Sequence, residues 1–230
     1  MAIVLVLVPT LGREHLALQR LDGRSLVDRA VTAAALATKA AATVATRASV
    51  TVVVRSEFVR VLPPLSHEAA VVVVAADQSA SDESVRSWIR GVDVVAVHDP
   101  LCPLVAPDLI VSMLRRLTVS GEADCQTPAL VASRPVVDTL KRLDAGGLVK
   151  GTTNRDTVRA VLSPVVTTGR RLSGIPDLHA ALSDPACLVR GLRATGAVEL
   201  VDVPASARRV DGRVALLAMS LVADSTLPNG

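Results

Sequence analysis

The chain has 230 residues, of which half are hydrophobic and a fifth are charged, with a formal net charge of +3. This length and composition suit a single α/β domain over residues 1–230 with a sizeable core. Phe58 and Trp88 are the only aromatic residues, and no block of like charge marks a basic groove. The sequence therefore argues against a nucleic-acid partner, which needs aromatic platforms or a polyanion-binding surface.

The opening apolar stretch, Ala2 to Val8, is far shorter than the roughly 20 residues of a membrane span and has no basic leader. We expect a buried strand there and no membrane partner. Cys102, Cys125 and Cys187 are odd in number and lack metal-ligand spacing. This usage favours a reducing cytoplasm, with the cysteines as packing residues.

Apolar runs that alternate with helical patterns predict a parallel sheet in the first half of the chain. The predicted strands are Ala2–Val8, Ser49–Arg55, Ala69–Ala75 and Val94–Val97. The predicted helices are Leu26 to about Thr46, capped by Ser25, then Glu83–Ile89, and one that opens behind Pro107 and Asp108. Strands joined by right-handed helical crossovers give the fold class α/β, with one doubly wound and mostly parallel sheet.

The second half is less regular. We expect a strand within Ala123–Ser133, an exposed loop over Thr167–Asp177, a helix over Pro185–Thr195, a strand over Val198–Val203 and a closing helix over Val214–Ala223. Periodicity leaves Val136–Asp144 open between helix and strand. The turn at residues 145–147 makes a projecting hairpin one solution, and the corresponding arm would span approximately residues 134–163.

Asp99 is the strongest single functional candidate. It follows the apolar run Val94–Val97, and ligands of open α/β sheets bind in the crevice beyond the carboxyl ends of strands. Asp99 is therefore predicted to contact a metal ion or a phosphate, with a turn residue as the alternative. His98 is interpreted as a hydrogen-bonded structural residue, and Cys102 as inert packing.

Several strings resemble the motifs of the methylerythritol-phosphate cytidylyltransferase family. They are Leu21-Asp22-Gly23-Arg24-Ser25-Leu26, His98-Asp99, Asp138-Thr139-Leu140-Lys141, Arg155 followed by Leu162-Ser163-Pro164, Ser183-Asp184-Pro185-Ala186, and Ala207-Arg208-Arg209-Val210. The resemblance covers most of the chain. It implies a glycosyltransferase-A-like nucleotidyltransferase fold with a projecting β-arm.

The resemblance also implies an activity, the transfer of CMP from CTP to the sugar-alcohol phosphate 2-C-methyl-D-erythritol 4-phosphate with release of pyrophosphate. It implies roles for individual residues: Arg13 and Arg209 as catalytic cations, Gly12 and Ser84 at the nucleotide, Asp99 beside Mg²⁺, and Asp138, Thr139 and Arg155 at the sugar phosphate. In the family the arm reaches into a second subunit, which implies a homodimer.

The chain departs from these motifs where the chemistry is concentrated. The glycine-rich nucleotide loop is reduced to Pro9-Thr10-Leu11-Gly12-Arg13-Glu14-His15-Leu16, in which Arg13 is the only Lys or Arg. Asp77, Asp82 and Glu83 place three carboxylates in a second loop that carries glycines and an arginine in the family. Removing one donor to a charged transition state typically costs roughly 10²–10³ in rate.

Three hypotheses follow. The chain is an active nucleotidyltransferase, a non-catalytic relative that binds a ligand or protein partner, or a structural subunit that pairs with an active homologue. The loss of several cations favours lost or much reduced activity, in which case Mg²⁺ is no longer needed.

Overall fold

The computed structural model describes residues 2–42, 45–65, 71–76, 81–119 and 127–225. The strands are β1 (Ala2–Pro9), β2 (Arg20–Leu21), β3 (Arg24–Ser25), β4 (Ala45–Val54), β5 (Val71–Ala75), β6 (Val94–Val97), β7 (Ala129–Pro135), β8 (Leu140–Leu143), β9 (Val149–Thr153), β10 (Arg159–Thr168) and β11 (Val198–Asp202). The helices are α1 (Glu14–Ala17), α2 (Leu26–Ala41), α3 (Ser81–Ile89), α4 (Pro107–Val119), α5 (Gly169–Ser173), α6 (Leu178–Ser183), α7 (Pro185–Thr195) and α8 (Arg213–Ser225).

Seven strands form one sheet in the order β11-β7-β10-β6-β1-β4-β5. The pairs of β1 with β4 and β6, of β4 with β5, and of β7 with β11 are parallel. Strand β10 runs antiparallel to both β6 and β7. The predicted fold class, α/β with a mostly parallel sheet, is confirmed.

Helices cover both faces of this sheet, which explains why its central strands are continuously apolar. Val4, Val6 and Val8 of β1 belong to the core beneath α2 and α4. Leu5 and Leu7 point to the other face and belong to the core beneath α3, α5, α6 and α7. A strand with two buried faces has no polar side to alternate with.

The first long helix begins where the sequence predicts and ends earlier. Ser25 caps α2, since its hydroxyl accepts a hydrogen bond from the amide of Asp28 at 3.2 Å. The helix ends at Ala41, not near Thr46, because Ala45 is already extended and paired with Ala2 of β1. Sheet pairing overrides the local helical preference there.

The exposed loop predicted over Thr167–Asp177 is wrong for residues 167–173 and holds only for the link at 174–177. Thr167 and Thr168 end β10, and α5 follows at once. Gly169 packs so closely against the backbone at Val92 that a Cβ atom on residue 169 would be 2.2 Å from the carbonyl oxygen of Val92. Arg171, which lies inside the predicted exposed loop, is only 2% exposed. The strand pairs with residues far away in the chain, so local composition did not reveal it.

The hairpin is present as a separate two-stranded sheet. Strands β8 and β9 pair antiparallel, which resolves the open choice for Val136–Asp144 in favour of a strand at Leu140–Leu143. The carboxylate of Asp144 accepts hydrogen bonds from the amides of Gly146 and Leu148, both at 2.9 Å, and so fixes the turn. The hairpin lies between main-sheet strands β7 and β10 in the chain. The boundaries of the arm, approximately 134–163, stay a prediction.

Within the residues that the structure describes, no helix has the length and apolar character needed to cross a bilayer.

Candidate active site

Asp99 lies directly beyond β6 and joins three distant parts of the chain. Its Oδ2 accepts a hydrogen bond from Nη1 of Arg13 and another from Nε of Arg209, each at 3.0 Å. Its Oδ1 accepts the amide of Leu101 at 2.9 Å. Asp99 is therefore a turn residue and also the centre of an ionic cluster. Its contact with a metal ion or a phosphate stays a prediction.

The Arg13 side chain is committed to the protein. Besides Asp99, its guanidinium donates to the carbonyl oxygen of Leu182 at 3.0 Å, and the side chain is 10% exposed. Burial lowers the pKa of Arg13, and the charge of Asp99 partly offsets this effect. An arginine stays protonated throughout the physiological range, so Arg13 is a buried cation held between the end of β6 and the end of α6.

Arg209 is the more accessible cation of the cluster, with its side chain 26% exposed. It also donates to Asp211 at 2.5 Å. Partial burial lowers the pKa of Arg209, but the charge and hydrogen bond of Asp99, together with Asp211, outweigh burial and leave this pKa raised. Arg209 is thus a fixed positive charge that faces open space.

That space is a cleft of about 910 Å³. Its walls come from the ends of β7 and β10, the segment after β7, the junction of α6 and α7, and the segment before α8. Eight of the lining residues are charged: Arg13, Arg134, Arg159, Arg208, Arg209, Asp138, Asp184 and Asp211. Asp99 and Asp202, outside this lining, pair with three of the five guanidinium groups, and the remaining two give the cleft the charge to attract a small anion.

The family model for 2-C-methyl-D-erythritol 4-phosphate cytidylyltransferase matches residues 12–217. The chain belongs to this cytidylyltransferase family.

Individual relatives of the family match over shorter stretches. The chain is 34% identical over 134 residues to the 2-C-methyl-D-erythritol 4-phosphate cytidylyltransferase of Nocardia farcinica, which is 58% of this chain and 55% of that protein. It is 36% identical over 126 residues to the enzyme of the same name from Frankia casuarinae, which is 53% of this chain and 45% of the relative. The matched span is about half the length of these relatives.

Solved structures agree over nearly the full length. The 4-diphosphocytidyl-2C-methyl-D-erythritol synthase of Anaerococcus prevotii superposes with a TM-score of 0.69 at 14% identity, covering 97% of this chain and 96% of that one. The 2-C-methyl-D-erythritol 4-phosphate cytidylyltransferase of Thermus thermophilus gives 0.66 at 22% identity, covering 97% and 98%. At such low identity these structures establish the cytidylyltransferase fold.

The residues that the resemblance implied do not all meet in the cleft. Arg13, Arg209 and Asp138 line it, whereas Thr139 and Arg155 do not. Arg155 is exposed, and its guanidinium donates to the carbonyl oxygen of Val137 on the same arm. The substrate-binding roles of Asp138, Thr139 and Arg155 stay predictions.

Gly12, one of the two predicted nucleotide residues, lines a pocket that adjoins this cleft and shares Arg13, Arg209 and Asp211 with it. Gly12 has a φ of +70°, which favours glycine, in the turn between β1 and α1. It lines a smaller pocket of about 280 Å³ together with Arg55 and Arg209. Ser84 lies in α3, and its side chain is outside the described part of the structure. The three carboxylates of the second loop fall partly in residues 77–80, which are also outside it.

The buried side chains of His98 and Ser163 lie beside Asp99, and Ser163 fixes its backbone by a hydrogen bond. Nδ1 of His98 lies 2.6 Å from Oγ of Ser163, and this oxygen also accepts the amide of Asp99 at 3.0 Å. Burial lowers the pKa of His98 to about 4, so the imidazole is neutral at pH 7. Burial likewise raises the pKa of Cys102 well above its usual value, in line with inert packing. Both residues are structural, as the sequence indicated.

The donor set around Asp99 does not fit a protein-held magnesium ion as the side chains stand. Mg²⁺ binds through one or two carboxylates together with substrate phosphates. Here the carboxylate of Asp99 already carries two guanidinium groups, which would repel a dication. No group of three or more His, Cys, Asp or Glu side chains suited to a metal occurs in residues 2–42, 45–65, 71–76, 81–119 and 127–225. A metal-binding role for Asp99 stays a prediction.

Three of the cleft arginines, Arg134, Arg159 and Arg208, were missed by sequence reasoning. Arg134 directly follows the predicted strand that ends at Ser133, so it lies at a carboxyl end, where sites of α/β sheets are built. That position was an available signal. Arg159 and Arg208 carried none, because their approach to the cleft depends on the antiparallel strand β10 and on the segment before α8.

Proposed function

We propose that this protein binds a small phosphate ester in the arginine-lined cleft, and that it transfers a cytidylyl group from CTP to 2-C-methyl-D-erythritol 4-phosphate at least about 10²-fold more slowly than an intact family enzyme. The family membership and the names of the relatives support the substrate class. The excess of guanidinium groups in the cleft supports the binding of a phosphate.

The observation that supports slow transfer is that the guanidinium of Arg13 is already hydrogen-bonded within the protein. Phosphoryl and nucleotidyl transfer depend on cations that neutralise charge as it develops on the phosphates. Arg13 is the only Lys or Arg in the shortened loop after β1. Its guanidinium instead bonds to Asp99 and to the carbonyl oxygen of Leu182, with little exposed surface left. A triphosphate would have to break these bonds before it gained the charge.

Pyrophosphate release tests the proposal. The purified chain is incubated with CTP, Mg²⁺ and 2-C-methyl-D-erythritol 4-phosphate, next to the Nocardia farcinica relative under the same conditions. We expect a kcat/KM at least about 10²-fold below that of the relative, together with calorimetric binding of the phosphate ester in the absence of CTP. A kcat/KM within tenfold of the relative overturns the slow transfer. Absence of binding overturns the assigned ligand.

We also propose that the arm contacts a second copy of the chain. Four apolar side chains of the arm are largely exposed: Val137 at 65%, Leu143 at 60%, Leu148 at 71% and Val149 at 62%. Exposed apolar groups concentrated on one projecting element are typical of an interaction surface. This observation also favours the second candidate function, a subunit that pairs with an active family homologue.

A cytoplasmic location belongs to the same proposal. Cys102 and Cys187, the cysteines in the described residues, are both free thiols. Free thiols persist in reducing compartments.

A further inference from the structure

The five arginines of the cleft divide into two sets. Three are committed: Arg13 and Arg209 bond to Asp99, and Arg159 bonds to Oγ of Ser133 at 3.0 Å and to the carboxylate of Asp202. Committed guanidiniums must exchange a protein partner for a ligand, which reduces the gain in free energy on binding.

The guanidinium groups of the other two arginines, Arg134 and Arg208, have no hydrogen-bond or ion-pair partner among the residues that the structure describes. Arg134 lies near the end of β7, where its backbone is paired with Ala160 of β10, and its side chain is half-buried. Arg208 is exposed and immediately precedes Arg209. Both line the cleft, so both face a cavity large enough for a small molecule.

Two guanidinium groups without a counter-charge on the wall of one cavity present a positive potential to an anion that enters it. A phosphate ester is a suitable ligand for these two groups, since guanidinium groups bind phosphate oxygens through paired, charge-assisted hydrogen bonds. Asp138, an exposed cleft residue, also has no bonding partner in the described part of the chain. Its carboxylate can only accept hydrogen bonds, and a polyol hydroxyl is a suitable donor.

We infer that Arg134 and Arg208 form the phosphate-binding subsite of this protein, with Asp138 receiving a hydroxyl of the same ligand. The inference rests on the proposed function and assigns the residues that would hold the phosphate of its ligand. Arg134 belongs to none of the strings that carry the family resemblance, and Arg208 lies in one of them, directly before Arg209.

Within a single chain, Arg155 does not contribute to this phosphate-binding subsite. Its guanidinium bonds within the arm and it does not line the cleft. Ligand binding by Arg134 and Arg208 uses groups of a single subunit. Binding should therefore persist when the protein is dilute, whatever its state of association.

Calorimetric titration of the full chain with 2-C-methyl-D-erythritol 4-phosphate tests the inference. The variants are Arg134→Gln, Arg208→Gln, the pair together, and Arg134→Lys. Arg115→Gln is the matched control, because Arg115 is an exposed arginine of α4 that does not line the cleft. Arg155→Gln tests the residue that the family resemblance implied. Unphosphorylated 2-C-methyl-D-erythritol reports on the polyol alone.

We expect Arg134→Gln and Arg208→Gln each to raise Kd about tenfold, and Arg134→Lys to raise it less. Arg115→Gln should stay within about twofold of the wild type, and the unphosphorylated polyol should bind at least about a hundredfold more weakly. Because Arg134 and Arg208 have no protein partner to lose, the thermal midpoints should not change.

Tight binding by the wild type with unchanged Kd in the double variant overturns this subsite and leaves the proposed function standing. Loss of binding in Arg155→Gln, with Arg134→Gln and Arg208→Gln unaffected, also overturns it. If the wild type binds no phosphate ester at all, the subsite and the proposed function fall together.

Discussion

The guanidinium of Arg13 and the carboxylate of Asp99 are 3.0 Å apart, although 86 positions separate them in the chain. Strands β1 and β6 are parallel neighbours, so the turns that follow them meet at one edge of the sheet. Arg209 reaches the same oxygen from near the C-terminal helix. Asp99 thus holds hydrogen-bond donors of two cations that line the cleft.

Replacing Asp99 with Asn should lower stability and strengthen anion binding at the same time. Two largely buried guanidinium groups would lose their counter-charge, which typically costs about 3 kcal/mol of unfolding free energy. The released cations would then bind inorganic pyrophosphate more tightly. Urea unfolding measures the first effect and calorimetry measures the second.

Asp211→Asn is the matched control, because this carboxylate pairs with Arg209 but is 72% exposed. Its loss should change the unfolding free energy by less than about 1 kcal/mol. If Asp99→Asn is as stable as the wild type and binds pyrophosphate no better, the competition between Asp99 and a ligand does not exist.

Arg171 should be one of the most sensitive positions of the fold. Its buried guanidinium donates to the carbonyl oxygens of Thr127, Leu192 and Ala197 at 2.8–2.9 Å, and so joins the end of α7 to the strands beside it. Arg171→Met leaves these acceptors without the donor and should cost about 3 kcal/mol in urea unfolding. The adjacent exposed Arg170 is the control, and Arg170→Met should cost about 0.5 kcal/mol or less. Equal effects would contradict a structural role for Arg171.

The sequence predicted those strands and helices whose burial pattern and capping residues lie within the element itself or directly beside it. The continuous apolar runs of β1 and β6 indicated strands covered on both faces, and Asp184 followed by Pro185 marked the start of α7. Strand β10 was missed because its pairing with β6 and β7 is decided by contacts distant in the chain.

The site shows the same division. Arg13, Asp99 and Arg209 were recognised singly, through motifs that the chain shares with its family. That the three bond to one another, while Arg134 and Arg208 stay unpaired in the described structure, depends on side-chain geometry that no spacing in the sequence records.

His98 should make the protein less stable as the pH falls below about 6.5. Burial lowers the pKa of the folded His98 to about 4, whereas the unfolded side chain has a pKa of about 6.5. Between these values the unfolded state binds the extra proton, so stability is full above pH 6.5 and decreases towards pH 4. The total loss is about 3 kcal/mol. Chemical unfolding at a series of pH values measures the slope.

His98→Asn provides the comparison, since an amide can accept the hydrogen bond of Ser163 and does not titrate. The difference in unfolding free energy between the wild type and His98→Asn should narrow as the pH falls from 7 to 4, because only the wild type loses this contribution. A constant difference across that range would show that His98 does not titrate differently in the folded and unfolded states.

Association through the arm should depend on the apolar side chains at the tip of the hairpin. Leu148 and Val149 are 71% and 62% exposed, so polar replacements remove little buried surface from the isolated subunit. We expect sedimentation analysis to show a dimer for the wild type and a monomer for Leu148→Ser with Val149→Ser, at an unchanged thermal midpoint when both are dilute. Val214→Ser is the control, because Val214 is 83% exposed on α8, away from the hairpin in the chain, and should leave the dimer intact. A monomeric wild type at every concentration, or dissociation by Val214→Ser alone, would show that the hairpin is not the contact.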